Sequence, residues 1–143
     1  MTERTEVRFN FYNKTDDEIG MGNLAYNQVA FNVGGGVYDF DSYTYTIPID
    51  GTYVIGYSYV KGGTSYTDFN CIRNETTIIL NRAQLNGTSG INYSMGGTFL
   101  FNFLAGDIIS VYSIFDFTRP RMNSFAYDTE DIYNSFWGIR LDY

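Results

Sequence analysis

The stretch Phe31–Tyr57 decides the fold class, and it reads Phe-Asn-Val-Gly-Gly-Gly-Val-Tyr-Asp-Phe-Asp-Ser-Tyr-Thr-Tyr-Thr-Ile-Pro-Ile-Asp-Gly-Thr-Tyr-Val-Ile-Gly-Tyr. The triple glycine predicts a chain reversal, because glycine adopts backbone conformations that other residues avoid. The alternation of Tyr and Thr predicts a strand over Tyr43–Ile47, and a Pro-Ile-Asp-Gly corner leads to a second strand that begins at Tyr53. Two strands joined this closely indicate a β-scaffold rather than a catalytic motif.

Alternating or β-branched segments predict further strands along the chain. The first of them, Val7–Tyr12, is expected to pair with the end of the chain, and Arg73-Asn74-Glu75 is expected to form a turn. The absence of a helical period and of a fixed repeat favours a β-sandwich or jelly roll. The further predicted strands are Val7–Tyr12, Asn27–Val33, Tyr53–Val60, Phe69–Arg73, Thr76–Leu80, Thr98–Leu104, Ile108–Ile114 and Phe136–Leu141.

Length and composition indicate one aromatic-rich domain over residues 1–143, with 14 Tyr, 12 Phe and 15 Gly. A chain of this size buries roughly 70% of its unfolded surface, which is enough for a sizeable core. The net charge of −7 and the lack of a long basic run disfavour binding to nucleic acid. No apolar run is long enough for membrane insertion, and the start, Met-Thr-Glu-Arg-Thr-Glu, predicts no signal peptide.

Two of the predicted strands carry apolar residues on both faces. In Tyr53–Val60, Tyr and Ile side chains share one face, while Val54 and Val60 lie on the other; in Thr98–Leu104, Phe alternates with Leu. One face of each strand can fill the core of a sandwich, but the second face is too apolar to leave in water. We therefore expect a second subunit to cover it.

The chain contains no histidine, which excludes Ser-His-Asp and Cys-His catalysis and removes the commonest zinc ligand. We interpret the one cysteine, Cys71, as a structural thiol, because an unactivated cysteine stays mostly protonated near neutral pH. No catalytic residue and no cofactor is predicted. Two acidic clusters leave a carbohydrate-active enzyme as a remote alternative; they are Asp16-Asp17-Glu18 and the set Asp128, Glu130 and Asp131.

The longest polar stretch, Arg119–Asn134, holds the remaining candidate sites. Loops on a rigid scaffold often carry partner contacts, and Arg and aromatic side chains are favoured there. For the acidic residues, calcium binding is the alternative to a solvated loop, because oxygen ligands from a loop suit this cation. The candidate partner-binding residues are Arg119, Arg121, Met122 and Phe125, and the calcium candidates are Asp128, Glu130 and Asp131.

Three sequence blocks in this order resemble the signature of the C1q globular head. The first lies within Phe31–Tyr53 and includes Tyr-Thr-Ile-Pro and Asp-Gly-Thr-Tyr. The second is Leu104-Ala105-Gly106-Asp107-Ile108, and the third is Ser135-Phe136-Trp137-Gly138-Ile139-Arg140-Leu141. Any single block is weak evidence, but the ordered set covers nearly the whole chain.

The resemblance implies an all-β jelly-roll sandwich of the C1q and tumour-necrosis-factor type, with about ten strands, assembled as a homotrimer. In such heads, aromatic residues pack around the three-fold axis. The residues given this role are Tyr53, Tyr57, Phe99, Phe101 and Phe103. An axial calcium site is not carried over, because Asn92, Tyr93 and Ser94 stand where several relatives have an acidic residue.

The resemblance favours a non-enzymatic recognition or adhesion head that binds a protein or glycan partner, at the tip of a larger stalked or fibrous protein. A structural domain that trimerises and caps such a fibre without a specific ligand stays open as the alternative. The expected location is extracellular or on a virion or spore surface, since the Tyr/Asn/Ile-rich composition is typical of an AT-rich viral or microbial genome.

Overall fold

A computed structural model of the protein describes residues 5–13, 22–61, 67–83, 93–115 and 134–141. Within these ranges the chain forms eleven β-strands and no helix. Every strand predicted from the sequence is present, while the short strands β2 and β4 were not predicted. The strands are β1 (Arg8–Asn13), β2 (Gly22–Asn23), β3 (Gln28–Val33), β4 (Val37–Asp39), β5 (Thr44–Thr46), β6 (Gly51–Lys61), β7 (Thr67–Arg73), β8 (Thr76–Ala83), β9 (Tyr93–Phe103), β10 (Ile108–Phe115) and β11 (Asn134–Arg140).

The strands form two antiparallel sheets. Sheet I has the strand order β3-β1-β11-β6-β9, and sheet II has the order β4-β5-β10-β7-β8, with β2 beside β10. The pairing of β1 with β11 runs from Arg8 opposite Ile139 to Asn13 opposite Asn134, which confirms the predicted pairing of the first strand with the end of the chain. Most neighbours within a sheet are distant in sequence, as in a jelly roll. In the described ranges, no helix is long and apolar enough to cross a membrane.

The core lies between the two sheets and consists largely of aromatic rings. On β1, Phe9 and Phe11 are fully buried, while Arg8, Asn10 and Tyr12, which alternate with them, are only partly buried. The ring of Phe9 stacks on Tyr45 of sheet II, with centroids 3.9 Å apart, and Phe11 stacks on Tyr38 at 4.0 Å. These stacked pairs join one sheet to the other.

Gly138 allows the core to close tightly against sheet I. Its register places it between Phe9 on β1 and Ile55 on β6. A Cβ at this position would lie 2.6 Å from the Phe9 ring and 2.7 Å from the Ile55 side chain. The side chains of its neighbours therefore occupy the space that a side chain at position 138 would need. Since successive residues of a strand face opposite sides, Trp137 and Ile139 lie on the outer face of sheet I.

Candidate functional site

An apolar row crosses the outer face of sheet I. On β6, Val54 lies between two fully buried core residues and is itself only partly buried. The register sets Val54 opposite Ile139 on one side and opposite Leu100 on the other. The Leu100 side chain is 62% exposed, which is unusual for a large apolar residue in the middle of a long strand. The row therefore offers three aliphatic side chains on three adjacent strands.

A second row on the same face is aromatic. Trp137 lies between Asn10 and Gly56 in the register, and a Cβ added to Gly56 would overlap the indole ring. The ring therefore lies flat over the glycine. On β3, the edge strand of sheet I, Phe31 lies opposite Asn10. The guanidinium of Arg8 lies 4.9 Å from the centre of the Phe31 ring. The two rows together form what we call the outer apolar face, defined by Phe31, Val54, Leu100, Trp137 and Ile139.

Polar groups border the outer apolar face. Near Phe31, Arg8 forms an exposed ion pair with Glu6 at 2.7 Å. Beyond Leu100, the hydroxyl of Thr52 donates to Oδ1 of Asn102 at 2.6 Å. An apolar centre with a polar rim is the arrangement of protein–protein interfaces.

The predicted three-fold contact residues lie on the opposite side of these strands. Tyr53, Tyr57 and Phe103 are buried in the core of the single chain, and Phe99 and Phe101 are partly buried and pack against that core. Their burial within the single chain leaves these side chains little surface for contact with a second copy, and their role in a three-fold contact stays a prediction. The opposite, largely aliphatic side of the same strands is the outer apolar face, which stays partly exposed.

The other predicted site residues fall outside the described residues. These are the partner-binding candidates Arg119, Arg121, Met122 and Phe125 and the calcium candidates Asp128, Glu130 and Asp131, all of which stay predictions. Within the described ranges, no group of three or more Cys, His, Asp or Glu side chains is placed to hold a metal ion.

Asp107 joins the turn between β9 and β10 to the turn between β7 and β8. Its carboxylate, 9% exposed, accepts from Nε of Arg73 at 2.9 Å, from the backbone N–H of Leu104 at 2.8 Å and from the side-chain amide of Asn74 at 3.0 Å. Burial opposes ionisation, but the hydrogen bonds from Leu104 and Asn74 and the charge of Arg73 outweigh it and hold the pKa of Asp107 below its ordinary value.

We expect Asp107→Asn to destabilise the protein near neutral pH and to matter less in acid. An amide at this position brings N–H groups against the donors that now surround the carboxylate, at a cost of about 1–3 kcal/mol. The folded-state pKa lies below the unfolded value of about 3.9. The carboxylate's contribution is therefore complete above the unfolded pKa and is lost as the pH falls through the folded pKa. Urea unfolding of the native protein and of Asp107→Asn, from neutral to strongly acidic pH, measures the difference in their unfolding free energies. A difference that is independent of pH would contradict the prediction.

Comparison with known proteins identifies the fold. No family model matches the chain, and no curated protein matches it in sequence. Among solved structures, the globular domain of zebrafish complement 1qA protein is similar, with a TM-score of 0.68 and 10% sequence identity. The match covers 97% of this chain and 98% of that one. At this identity the likeness concerns the fold, and the chain therefore has the jelly-roll sandwich of a C1q globular domain.

Proposed function

We propose that the protein is a non-enzymatic recognition head that assembles as a homotrimer through the outer apolar face of sheet I. The trimer presents three copies of a binding site to a protein or glycan partner at a cell, virion or spore surface, as the end of a larger stalked or fibrous protein. The observation that carries this proposal is the outer apolar face, on a sheet whose other side already packs on the core.

Covering the outer apolar face would remove exposed apolar side chains from water. Burying apolar surface yields about 25 cal/mol per Å², and contiguous apolar patches on monomers are usually functional. Leu100, Phe31 and Trp137 offer such a surface on a chain with a net charge of −7. Among the described residues, Arg8 lies between Ile139 and Phe31 and is paired with Glu6, so self-association would bring no unpaired acidic group to the centre. The resemblance to C1q heads favours three copies over two.

Trimerisation also makes weak ligand binding effective. Three linked copies of one site convert later binding events into intramolecular ones, so overall avidity can exceed the single-site affinity by about 10²-fold or more. Sheet II lies on the far side of the core from the outer apolar face. Assembly through sheet I therefore leaves sheet II open to a ligand.

The oligomeric state of the purified chain tests this proposal. Multi-angle light scattering at micromolar concentration is expected to give three times the chain mass of 16.3 kDa. A measured mass equal to that of one chain under these conditions would contradict the proposal. A trimer that binds no cell surface, protein or glycan would instead support the structural capping domain.

A further inference from the structure

A groove of about 850 Å³ crosses the outer face of sheet II. Strands β5, β8 and β10, strand β2 and the turn between β7 and β8 all contribute to its lining. The lining is predominantly Asn, Ser and Thr, with one carboxylate from Glu75 and apolar surface from Ile108 and Tyr112. Among the described residues that line the groove, none carries a positive charge.

One wall of the groove is held in place by hydrogen bonds. The side-chain amide of Asn23 donates to the backbone carbonyl of Ser42 at 2.9 Å. Its Oδ1 accepts from the hydroxyl of Ser110 at 2.9 Å, and Ser110 is only 4% exposed. The hydroxyls of Ser42 and Thr44 lie 2.8 Å apart, so one of them donates to the other. This wall thus presents donors and acceptors in fixed positions.

The opposite wall is built on a tight turn. Asn74 and Glu75 both have positive φ angles, 46° and 68°, as a two-residue hairpin turn of type I′ requires. Oδ1 of Asn74 accepts from the backbone N–H of Ile108 at 2.8 Å, and Asp107 accepts from its amide. Glu75 and Thr77 are exposed beside it. The turn and the start of β8 therefore place the carboxylate of Glu75 and the hydroxyl of Thr77 in the lining of the groove.

The chemistry of this lining selects a class of ligand. Among the described lining residues an anionic ligand would meet the carboxylate of Glu75 and no cation, so a phosphate or an acidic sugar is disfavoured. A peptide strand adds to the edge of a sheet, but the floor strand β10 lies inside sheet II, between β5 and β7. A neutral sugar offers hydroxyls that both donate and accept, matching Asn and Ser/Thr side chains, and its C–H surface can pack on Tyr112. We propose, on the basis of the proposed recognition role, that this groove binds a neutral saccharide.

Binding to a glycan array and titration of the best ligand test the proposal. The probes are neutral oligosaccharides, with sialylated and sulfated oligosaccharides as the anionic comparison. We expect the protein to bind neutral glycans, and the double variant T44V/T77V to weaken the affinity about tenfold, since each replacement removes one hydroxyl hydrogen bond. Both replacements keep a β-branched side chain on a strand, so the fold is expected to persist.

The matched control is Thr46→Val, which makes the same chemical change on β5 outside the groove lining. It is expected to bind as the native protein does. The proposal is overturned if the folded native protein binds no neutral glycan, if it binds only anionic glycans, or if T44V/T77V and Thr46→Val have equal effects. Light scattering on the same samples separates the two proposals, because a trimer without glycan binding rejects the groove alone and a glycan-binding monomer rejects the trimer alone.

Discussion

Replacing Leu100 with aspartate is expected to dissociate the proposed trimer into single folded chains. The Leu100 side chain is 62% exposed in the single chain, so the substitution removes little core packing and has a small effect on folding. In an assembly that covers the outer apolar face, the same position is buried and three carboxylates would approach one another. An unpaired buried charge costs several kcal/mol, and the proposed trimer would contain three of them.

The measurement is the mass in solution, with Val37→Asp as the matched control. Val37 is 64% exposed and lies on β4 at the edge of sheet II, so it experiences the same apolar-to-acid change away from the proposed interface. We expect single chains for Leu100→Asp and trimers for Val37→Asp, with similar circular dichroism for both. A Leu100→Asp protein that remains trimeric would show that another surface holds the chains together.

The strands and several turns followed from the sequence because their signals are local. Alternation located β1, β5 and β6, and glycine, asparagine and proline marked the turns. The backbone freedom expected of the triple glycine is used at Gly34 and Gly35, whose φ angles of 102° and 92° favour glycine. Strands β2 and β4 were missed because their two and three residues show no alternation, whereas the Tyr/Thr alternation over Tyr43–Ile47 marked the equally short β5.

The side that faces outward did not follow from the sequence, because both sides of β6 and β9 are apolar. Alternation tells which residues share a face, but the core side is chosen by partners distant in sequence. Here Phe9 stacks on Tyr45, and Gly138 leaves room for Phe9 and Ile55. Gly138, between two large apolar residues in the last strand, was the available signal. A glycine in a strand often marks the side on which neighbouring groups pack closely.

The sequence blocks that resemble C1q heads meet at one end of the sandwich. The backbone N–H of Ala105 donates to Oδ1 of Asp50 at 2.6 Å, and Nε of Arg140 donates to the carbonyl of Asp50 at 3.0 Å. The backbone of Ile47 bonds to Asp107 and Gly106, each at 2.8 Å. These blocks therefore have a structural role in closing the sandwich. The groove on sheet II left no comparable signal, because its lining comes from segments between Asn23 and Tyr112 that only the fold brings together.

Replacing Phe9 with alanine is expected to have the largest effect on folding. Phe9 is fully buried, and its ring contacts sheet II through Tyr45 and, within sheet I, Phe136 edge-on at 5.3 Å. Phenylalanine-to-alanine changes in cores cost about 3–5 kcal/mol through lost burial and the cavity left behind. Since domains are stable by only about 5–15 kcal/mol, the variant is expected to lose a large share of its stability.

Phe40→Ala is the matched control for this prediction, because Phe40 is 44% exposed and makes an edge contact with Tyr38 at 5.0 Å. Its expected cost is below about 1 kcal/mol. Urea unfolding at one fixed protein concentration measures both, since the stability of an assembling protein depends on concentration. Equal losses for the two variants would mean that the sheets collapse onto the gap left by Phe9. The stack of Phe9 on Tyr45 would then not be what holds the two sheets together.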